Sequence, residues 1–122
     1  MKKLFAAVAA VVLAFAVPAG AQDAKQDFVL INKTGYELNA LYVSPSKSDD
    51  WQDNIIDGKV VGDDQVVNVH FSPRVHTCHW DLKVTYSDDN SNAVWGDIDL
   101  CTVEKITIFY DRKNDVTKAK FD

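Results

Sequence analysis

All three histidines and one of the two cysteines lie in one short stretch, HFSPRVHTCHWDLKV, which begins at His70. Imidazole nitrogen and thiolate sulfur are common zinc ligands, and a zinc site takes four such groups, or three and a water molecule. His76 and Cys78 are two positions apart, so a β-strand would point both side chains to the same side. A thiolate beside an imidazole is also the arrangement of a cysteine nucleophile. The stretch could therefore bind a metal, carry out catalysis or contribute a disulfide, and the compartment of the protein decides between these.

The beginning of the chain has the pattern of a secretory signal peptide. Two lysines precede an unbroken apolar run over residues 4–17, Pro18 ends the run, and Ala19 and Ala21 supply the small side chains that a signal peptidase requires. The run is too short to cross a bilayer, which takes about 20 apolar residues. We therefore predict a signal peptide over residues 1–21, no membrane anchor after its cleavage, and a periplasmic or secreted protein.

An exported chain with an even number of cysteines predicts a disulfide, here between Cys78 and Cys101. A disulfide removes the thiolate that catalysis would need and leaves His70, His76 and His79 as the candidate metal ligands. On a regular strand His79 points away from the side of Cys78, so a three-histidine site would require irregular backbone. A zinc site made by the three histidines is therefore kept as an alternative to a segment whose cysteine only forms a stabilising disulfide.

Calcium is the other candidate cation. Asp88, Asn90 and Asn92 occupy alternate positions in the segment DDNSNAVWGDID, which partly resembles an EF-hand loop. The glycine that such a loop needs at its sixth position is replaced by Ala93, so a hairpin tip explains the segment better. Hydrolase, phosphate-loop and dinucleotide motifs are absent from the sequence, so we expect no enzyme and no cofactor.

The charge balance restricts the partners. Without its two leader lysines, the chain keeps 11 of its 13 basic residues against 18 acidic ones, a net charge of −7. The sequence shows no basic stripe that could release phosphate counterions, so nucleic acid is not an expected partner. We expect a soluble monomer with one domain over residues 28–122, preceded by a flexible segment over residues 22–27.

Short segments of alternating apolar and polar residues predict strands throughout this domain. The clearest is CHWDLKVTY, in which Cys78, Trp80 and Leu82 begin one face. A bulge near Asn39 or Ala40 is expected, because the apolar set of the second segment changes phase there. The pattern indicates an all-β, antiparallel β-sandwich of the immunoglobulin-like kind with six to seven strands, one long loop, and a short helical turn capped by Ser48. The predicted strands are 28–32, 36–43, 66–71, 78–86, 93–100, 103–110 and 116–121.

The long loop, residues 44–65, is the candidate interaction surface. It is longer than a compact domain usually spends on a connection, and it surrounds one tryptophan with acidic residues. The alternative is that the tryptophan, with Ile55 and Ile56, covers the end of the core. Trp95 and Phe109 are out of phase with the apolar sets of their strands, so they could face outward and contact a glycan or a peptide. The favoured alternative is that a bulge or the second sheet buries them. The candidate interaction residues of the loop are Asp49, Asp50, Trp51, Asp53 and Asp57.

Three segments together resemble a family of small exported proteobacterial proteins: FVLINKTGYELNALYVSPSKSDDWQDNIIDG, FSP…TCHWDLKVTY and VWGDIDLCTVEKITIFYD. The resemblance covers nearly all of residues 28–111, and the Tyr-Val-Ser-Pro stretch at residues 42–45 is its most specific part. It implies a β-sandwich with two cysteines in these places and transfers no catalytic residue. Some related chains carry the name argininosuccinate lyase, which this chain does not support, since it is far shorter and lacks the Gly-Ser-Ser-x-Met-Pro motif of those enzymes.

The sequence as a whole predicts an exported, non-catalytic binding or interaction module of the cell envelope, with an envelope or extracellular protein or a glycan as partner. The alternative is a periplasmic protein that binds a divalent cation, calcium or zinc.

Overall fold

The computed structural model describes residues 24–122, and this part of the chain folds into seven strands without a helix. The all-β prediction is therefore confirmed. The predicted helical turn at Ser48 is wrong: the Ser48 hydroxyl accepts a hydrogen bond from the Asp50 backbone at 3.1 Å, a local turn that competes with helix formation. The strands are β1 (Phe28–Lys33), β2 (Leu38–Pro45), β3 (Val66–Val69), β4 (His79–Tyr86), β5 (Asn92–Asp99), β6 (Lys105–Asp111) and β7 (Val116–Phe121).

The strands form two sheets that pack face to face as a β-sandwich. One sheet has the order β3-β1-β6-β7 and the other the order β2-β4-β5. All neighbours are antiparallel except β1 and β6, which run parallel from the Val29–Lys105 pair to the Lys33–Phe109 pair. The sandwich prediction is confirmed, with this one parallel pair as the departure from a purely antiparallel arrangement.

The core lies between the sheets and follows the alternation that the sequence predicted for β4. Trp80, Leu82, Val84 and Tyr86 are buried, whereas the residues between them lie on the outer face. The register of β2 against β4 shifts between Leu38 and Ala40, which confirms the predicted bulge and keeps the apolar side chains on both sides of it in the core.

A second bulge changes the phase of β5. The register shifts between Trp80 and Leu82, and Asp97 has a positive φ of 59°. Trp95 consequently packs against the core, while Val94 is 55% exposed. Phe109 is 38% exposed, so of the two alternatives Phe109 follows the outward one and Trp95 follows burial by a bulge.

Residues 24–27, the described residues that precede β1, pack against the domain, in contrast to the flexible segment predicted over residues 22–27. Gln26 is 2% exposed, and its amide nitrogen donates to the carbonyl oxygens of Val75 and Thr77 at 2.9 Å. The predicted signal peptide, together with Gln22 and Asp23, lies outside the described residues. Within the described part, no helix has the length and apolar character needed to cross a membrane.

The long loop covers the free edge of β2. The backbone N–H of Ile55 donates to the Leu41 carbonyl at 2.8 Å, and the Leu41 N–H donates to the side-chain oxygen of Asn54 at 2.9 Å. Val61 forms an antiparallel bridge with Leu38. An uncovered strand edge is an aggregation hazard, so much of the length of this loop has a structural explanation.

Candidate functional site

A buried asparagine organises the turn between β1 and β2. Asn32 is fully buried, and its side-chain oxygen accepts from the Thr34 backbone at 3.0 Å and from the Thr34 hydroxyl at 2.7 Å. Its amide nitrogen faces the carbonyl oxygens of Tyr36 at 2.8 Å and of Val61 and Gly62 at 3.1 Å. These contacts join the turn to the long loop and fix the position of Tyr36.

Tyr36 is the centre of a cluster of three tyrosines. Its ring meets the Tyr86 ring edge to face, with centroids 6.0 Å apart, and the Tyr110 ring in the same way at 5.5 Å. Tyr86 comes from β4 in one sheet and Tyr110 from β6 in the other, so Tyr36 bridges the two layers. The edge-to-face geometry is the favourable one for aromatic pairs.

The three tyrosines line a concave groove of about 560 Å³, called the tyrosine groove below. The groove lies beside the edge strands β5 and β7, where the turns at residues 34–37, 87–91 and 112–115 come together. Its volume falls within the usual range of small-ligand sites, and its mixture of aromatic, hydroxyl and carboxylate groups is typical of such sites.

Two hydroxyls of the groove are held by neighbouring side chains. The Tyr86 and Thr117 oxygens are 2.5 Å apart, and the Tyr110 hydroxyl donates to the Asp115 carboxylate. Burial raises the pKa of Tyr86 above its ordinary value of 10.0. The phenol is therefore neutral at physiological pH, so it can take part in hydrogen bonds and does not supply an anionic nucleophile.

Three carboxylates form the rim of the groove, called the carboxylate rim below: Asp88, Asp89 and Asp115. Asp89 accepts from the Ser91 hydroxyl at 2.6 Å and from the Ser91 backbone at 3.0 Å, and these bonds lower the pKa of Asp89 below its ordinary value of 3.8. The predicted calcium ligands lie in and beside the same turn. Asp88 belongs to the rim, Asn90 has a positive φ of 59°, and Asn92 accepts from the Thr85 hydroxyl at 2.7 Å.

A second hollow of about 610 Å³ lies at the opposite edge of the sandwich, between the long loop and β3. Its lining includes three exposed apolar side chains, Ile55, Val60 and Val66. The two hollows are similar in volume and differ in the chemistry of their lining. The second hollow lacks the aromatic rings and carboxylates that can make directional contacts in the tyrosine groove.

The Cys78–Cys101 disulfide is present, with Cα atoms 5.2 Å apart, and it fits an oxidising environment. The histidines do not converge. His70 lies 3.3 Å from an Asp27 carboxylate oxygen and His79 lies 2.9 Å from an Asp97 oxygen, and neither pair includes His76. Among the described residues, the one group of three histidine, cysteine or acidic side chains close enough to share a metal is Cys78, Asp99 and Cys101. Both of its sulfurs are in the disulfide, so they are not available as thiolate ligands.

The candidate interaction loop is attached to the outer face of the second sheet. The Lys83 ammonium nitrogen lies 4.9 Å from the centroid of the Trp51 ring and 4.6 Å from that of the Tyr42 ring. Trp51 is therefore partly buried against the outer face of the sheet and does not belong to the core cluster. Of the two isoleucines expected to accompany it, Ile56 is buried and Ile55 is 45% exposed. Four aspartates of the loop are exposed: Asp49, Asp50, Asp53 and Asp57.

A scan against models of protein families found no match, and no curated protein matches the chain. Among solved structures, the NMR structure of a protein from Eubacterium rectale is similar, with a TM-score of 0.58 at 13% sequence identity. The superposition covers 86% of this chain and 93% of that one. At this identity the likeness concerns the fold alone.

The tyrosine groove was missed by sequence reasoning. Its residues are spread over turns and strands far apart in the chain, and no local spacing connects them. One signal was available, the NKTGY motif at residues 32–36, which contains both the buried asparagine and the central tyrosine. Asparagine, threonine and glycine together are typical of a turn with side-chain hydrogen bonds, and loop residues held in this way often carry function.

Proposed function

We propose that this chain is an exported, non-catalytic binding module of the cell envelope, and that the tyrosine groove is its ligand site. The observation that carries the proposal is the concavity of about 560 Å³ that three edge-to-face tyrosines line where three turns meet. Turns on a rigid sandwich are where such folds commonly place their binding residues.

Export is supported by the leader pattern and by the disulfide, since cysteines in reducing compartments are usually kept as thiols. A non-catalytic role is supported by the groups that the groove contains. The Ser91 and Tyr110 hydroxyls donate to aspartates and the Tyr86 hydroxyl pairs with Thr117. Among the described residues, no histidine, lysine or cysteine lines the groove as a stronger base or nucleophile.

The alternative of a divalent-cation site receives no comparable support. The candidate ligands His70, His76 and His79 are not brought together within the described residues. Of the proposed calcium ligands, the Asn92 side-chain oxygen already accepts from the Thr85 hydroxyl. The aspartates of the candidate interaction loop are exposed, and none of them lines either the tyrosine groove or the second hollow.

A pair of tryptophan substitutions tests the proposed site. Val94 lines the tyrosine groove and is 55% exposed, whereas Val60 lines the second hollow and is 52% exposed. Val94→Trp should fill the groove, while Val60→Trp is a matched control that also fills the alternative hollow. Isotope-labelled protein is titrated with fractionated envelope extract and followed by amide NMR.

For the wild type, we expect the amide signals of the turns at residues 34–37, 87–91 and 112–115 to shift. Val94→Trp should abolish these shifts and Val60→Trp should preserve them. The proposal is wrong if the shifts are confined to the second hollow, or if Val94→Trp leaves them unchanged.

A further inference from the structure

The charged groups that line the tyrosine groove all have the same sign. Three of the lining side chains are carboxylates, and within residues 24–122 no lysine, arginine or histidine lines the groove. A concave site with walls of one charge concentrates field lines and attracts ions of the opposite charge. The tyrosine groove therefore favours a cation over an anion or a neutral molecule.

The hydrogen-bonding groups of the groove point to the same kind of ligand. The Tyr110 hydroxyl donates its hydrogen bond to Asp115, and the Ser91 hydroxyl donates its hydrogen bond to Asp89. The donors that remain are the Tyr36 hydroxyl, the Asn92 amide and one hydroxyl of the Tyr86–Thr117 pair, and they are outnumbered by acceptors, chiefly the carboxylate oxygens of the rim. A ligand that satisfies them must bring several N–H donors.

The aromatic rings of the groove also attract positive charge. The face of a tyrosine ring carries negative electrostatic potential, and a cation within about 6 Å of the ring centre is attracted to it. The chain already holds one cation in this way elsewhere, since Lys83 lies over the Tyr42 and Trp51 rings. Tyr36 and Tyr110 are only partly buried, so their rings remain accessible from the groove.

We infer that the tyrosine groove binds a ligand through an ammonium or guanidinium group, such as the lysine or arginine side chain of a peptide. This inference rests on the proposed function, because it names the ligand class of the same site. The cationic group would lie among the three tyrosine rings and donate hydrogen bonds to the carboxylate rim.

The test compares two tripeptide amides that differ in charge and hardly in shape, Gly-Arg-Gly and Gly-citrulline-Gly. Each is titrated into the full protein and followed by amide NMR, with maltose and Gly-Glu-Gly as neutral and anionic probes. We expect the arginine peptide to shift the signals of the groove turns and to bind at least about tenfold more tightly than the citrulline peptide, because one desolvated charge contact is worth that factor. Added salt should weaken binding of the arginine peptide.

Two charge-matched double variants assign the effect to the groove. Asp88→Asn with Asp115→Asn removes two charges from the carboxylate rim, and Asp49→Asn with Asp53→Asn removes two from the long loop. Asparagine tolerates the positive φ of 53° at position 115. The rim variant should bind the arginine peptide about threefold to tenfold more weakly, and the loop variant should bind it as the wild type does.

The outcomes separate the two proposals. If the citrulline peptide or maltose shifts the groove signals as strongly as the arginine peptide does, the groove is a ligand site but the cationic ligand class is wrong. If the rim and loop variants weaken binding equally, the attraction is due to net charge and the inference fails. If no probe of any charge shifts the groove signals, the proposed ligand site fails together with the inference.

Discussion

The side-chain amide of Asn32 donates to the carbonyl oxygen of Val61 at 3.1 Å, across 29 positions of the chain. The same amide reaches the Tyr36 carbonyl at 2.8 Å, so one buried side chain connects the long loop that covers β2 with the turn that carries the central tyrosine of the groove. Asn32 therefore contributes both to the attachment of the loop and to the shape of the groove.

Replacing Asn32 by Asp tests this dependence. The carboxylate has nearly the shape of the amide but no N–H to donate, and it places a charge at a fully buried position. We expect a loss of about 3 kcal/mol or more in the free energy of unfolding, measured by urea denaturation. Asn68→Asp on the exposed face of β3 is the control and should change stability by no more than about 0.5 kcal/mol. Equal effects of the two substitutions would show that Asn32 is not a structural connection.

Two tryptophans in different environments provide a second test. Trp80 is 7% exposed and packs against Phe71 in the core, so Trp80→Ala should cost about 3–5 kcal/mol. Trp51 lies over Lys83 on the outer face of a sheet, so Trp51→Ala should cost only about 1–2 kcal/mol. Unfolding free energies of the two variants check the order. A cost at Trp51 as large as that at Trp80 would indicate that Trp51 belongs to the core.

The disulfide gives a third prediction. Cys78 and Cys101 are 23 positions apart, and closing a loop of this length stabilises a protein by about 3 kcal/mol in the chain-entropy account. The Cys78→Ala, Cys101→Ala double variant should lose about this amount in thermal and urea unfolding. Thiol titration of the unfolded, unreduced wild type should find no reactive cysteine, and two reactive thiols per chain would contradict the disulfide.

The pH dependence of stability follows from two aspartates whose pKa values are lowered on folding. Hydrogen bonds from Ser91 lower the pKa of Asp89, and those from the Asn114 side chain and Lys118 lower the pKa of Asp111. A lowered pKa in the folded state stabilises the protein above the ordinary value of 3.8, and this contribution is lost as the pH falls through the folded-state pKa.

Thermal melts between about pH 6 and about pH 2 should therefore show stability decreasing below about pH 4. The Asp89→Asn, Asp111→Asn variant should lose less stability over this range than the wild type. The Asp49→Asn, Asp53→Asn variant carries the same change in net charge and is the control. If both variants reduce the loss of stability at low pH equally, general charge repulsion causes the acid destabilisation, and these two hydrogen-bonded carboxylates do not.

Much of the fold could be predicted because strand alternation is a local signal. The β4 pattern from Trp80 to Tyr86, the bulge beside Ala40 and the cysteine pairing all follow from neighbouring residues and from composition. For Trp95 the sequence left two alternatives, an outward position and burial by a bulge, and local alternation does not decide between them. Its burial depends on a bulge whose cause is the pairing of β5 with β4, a tertiary contact that leaves no regular pattern in the sequence.

The site was less accessible to sequence reasoning than the fold. The long loop was predicted as an interaction surface because its acidic residues and Trp51 are adjacent in the chain. Part of its length is explained instead by the free edge of β2, which it covers. The tyrosine groove combines Tyr36, Tyr86 and Tyr110, which only the stacking of two sheets brings together. Residues that meet through topology alone have no spacing that a single sequence can reveal.

Site-specific photocrosslinking in the envelope of the native host tests the central claim most directly. A photoreactive amino acid is placed at Val94 in the tyrosine groove or at Val60 in the second hollow, positions of similar exposure. Our account predicts a discrete adduct from position 94 that excess Gly-Arg-Gly amide competes away, and no such adduct from position 60. A discrete adduct from position 60, with none from position 94, would contradict the assignment of the tyrosine groove as the ligand site.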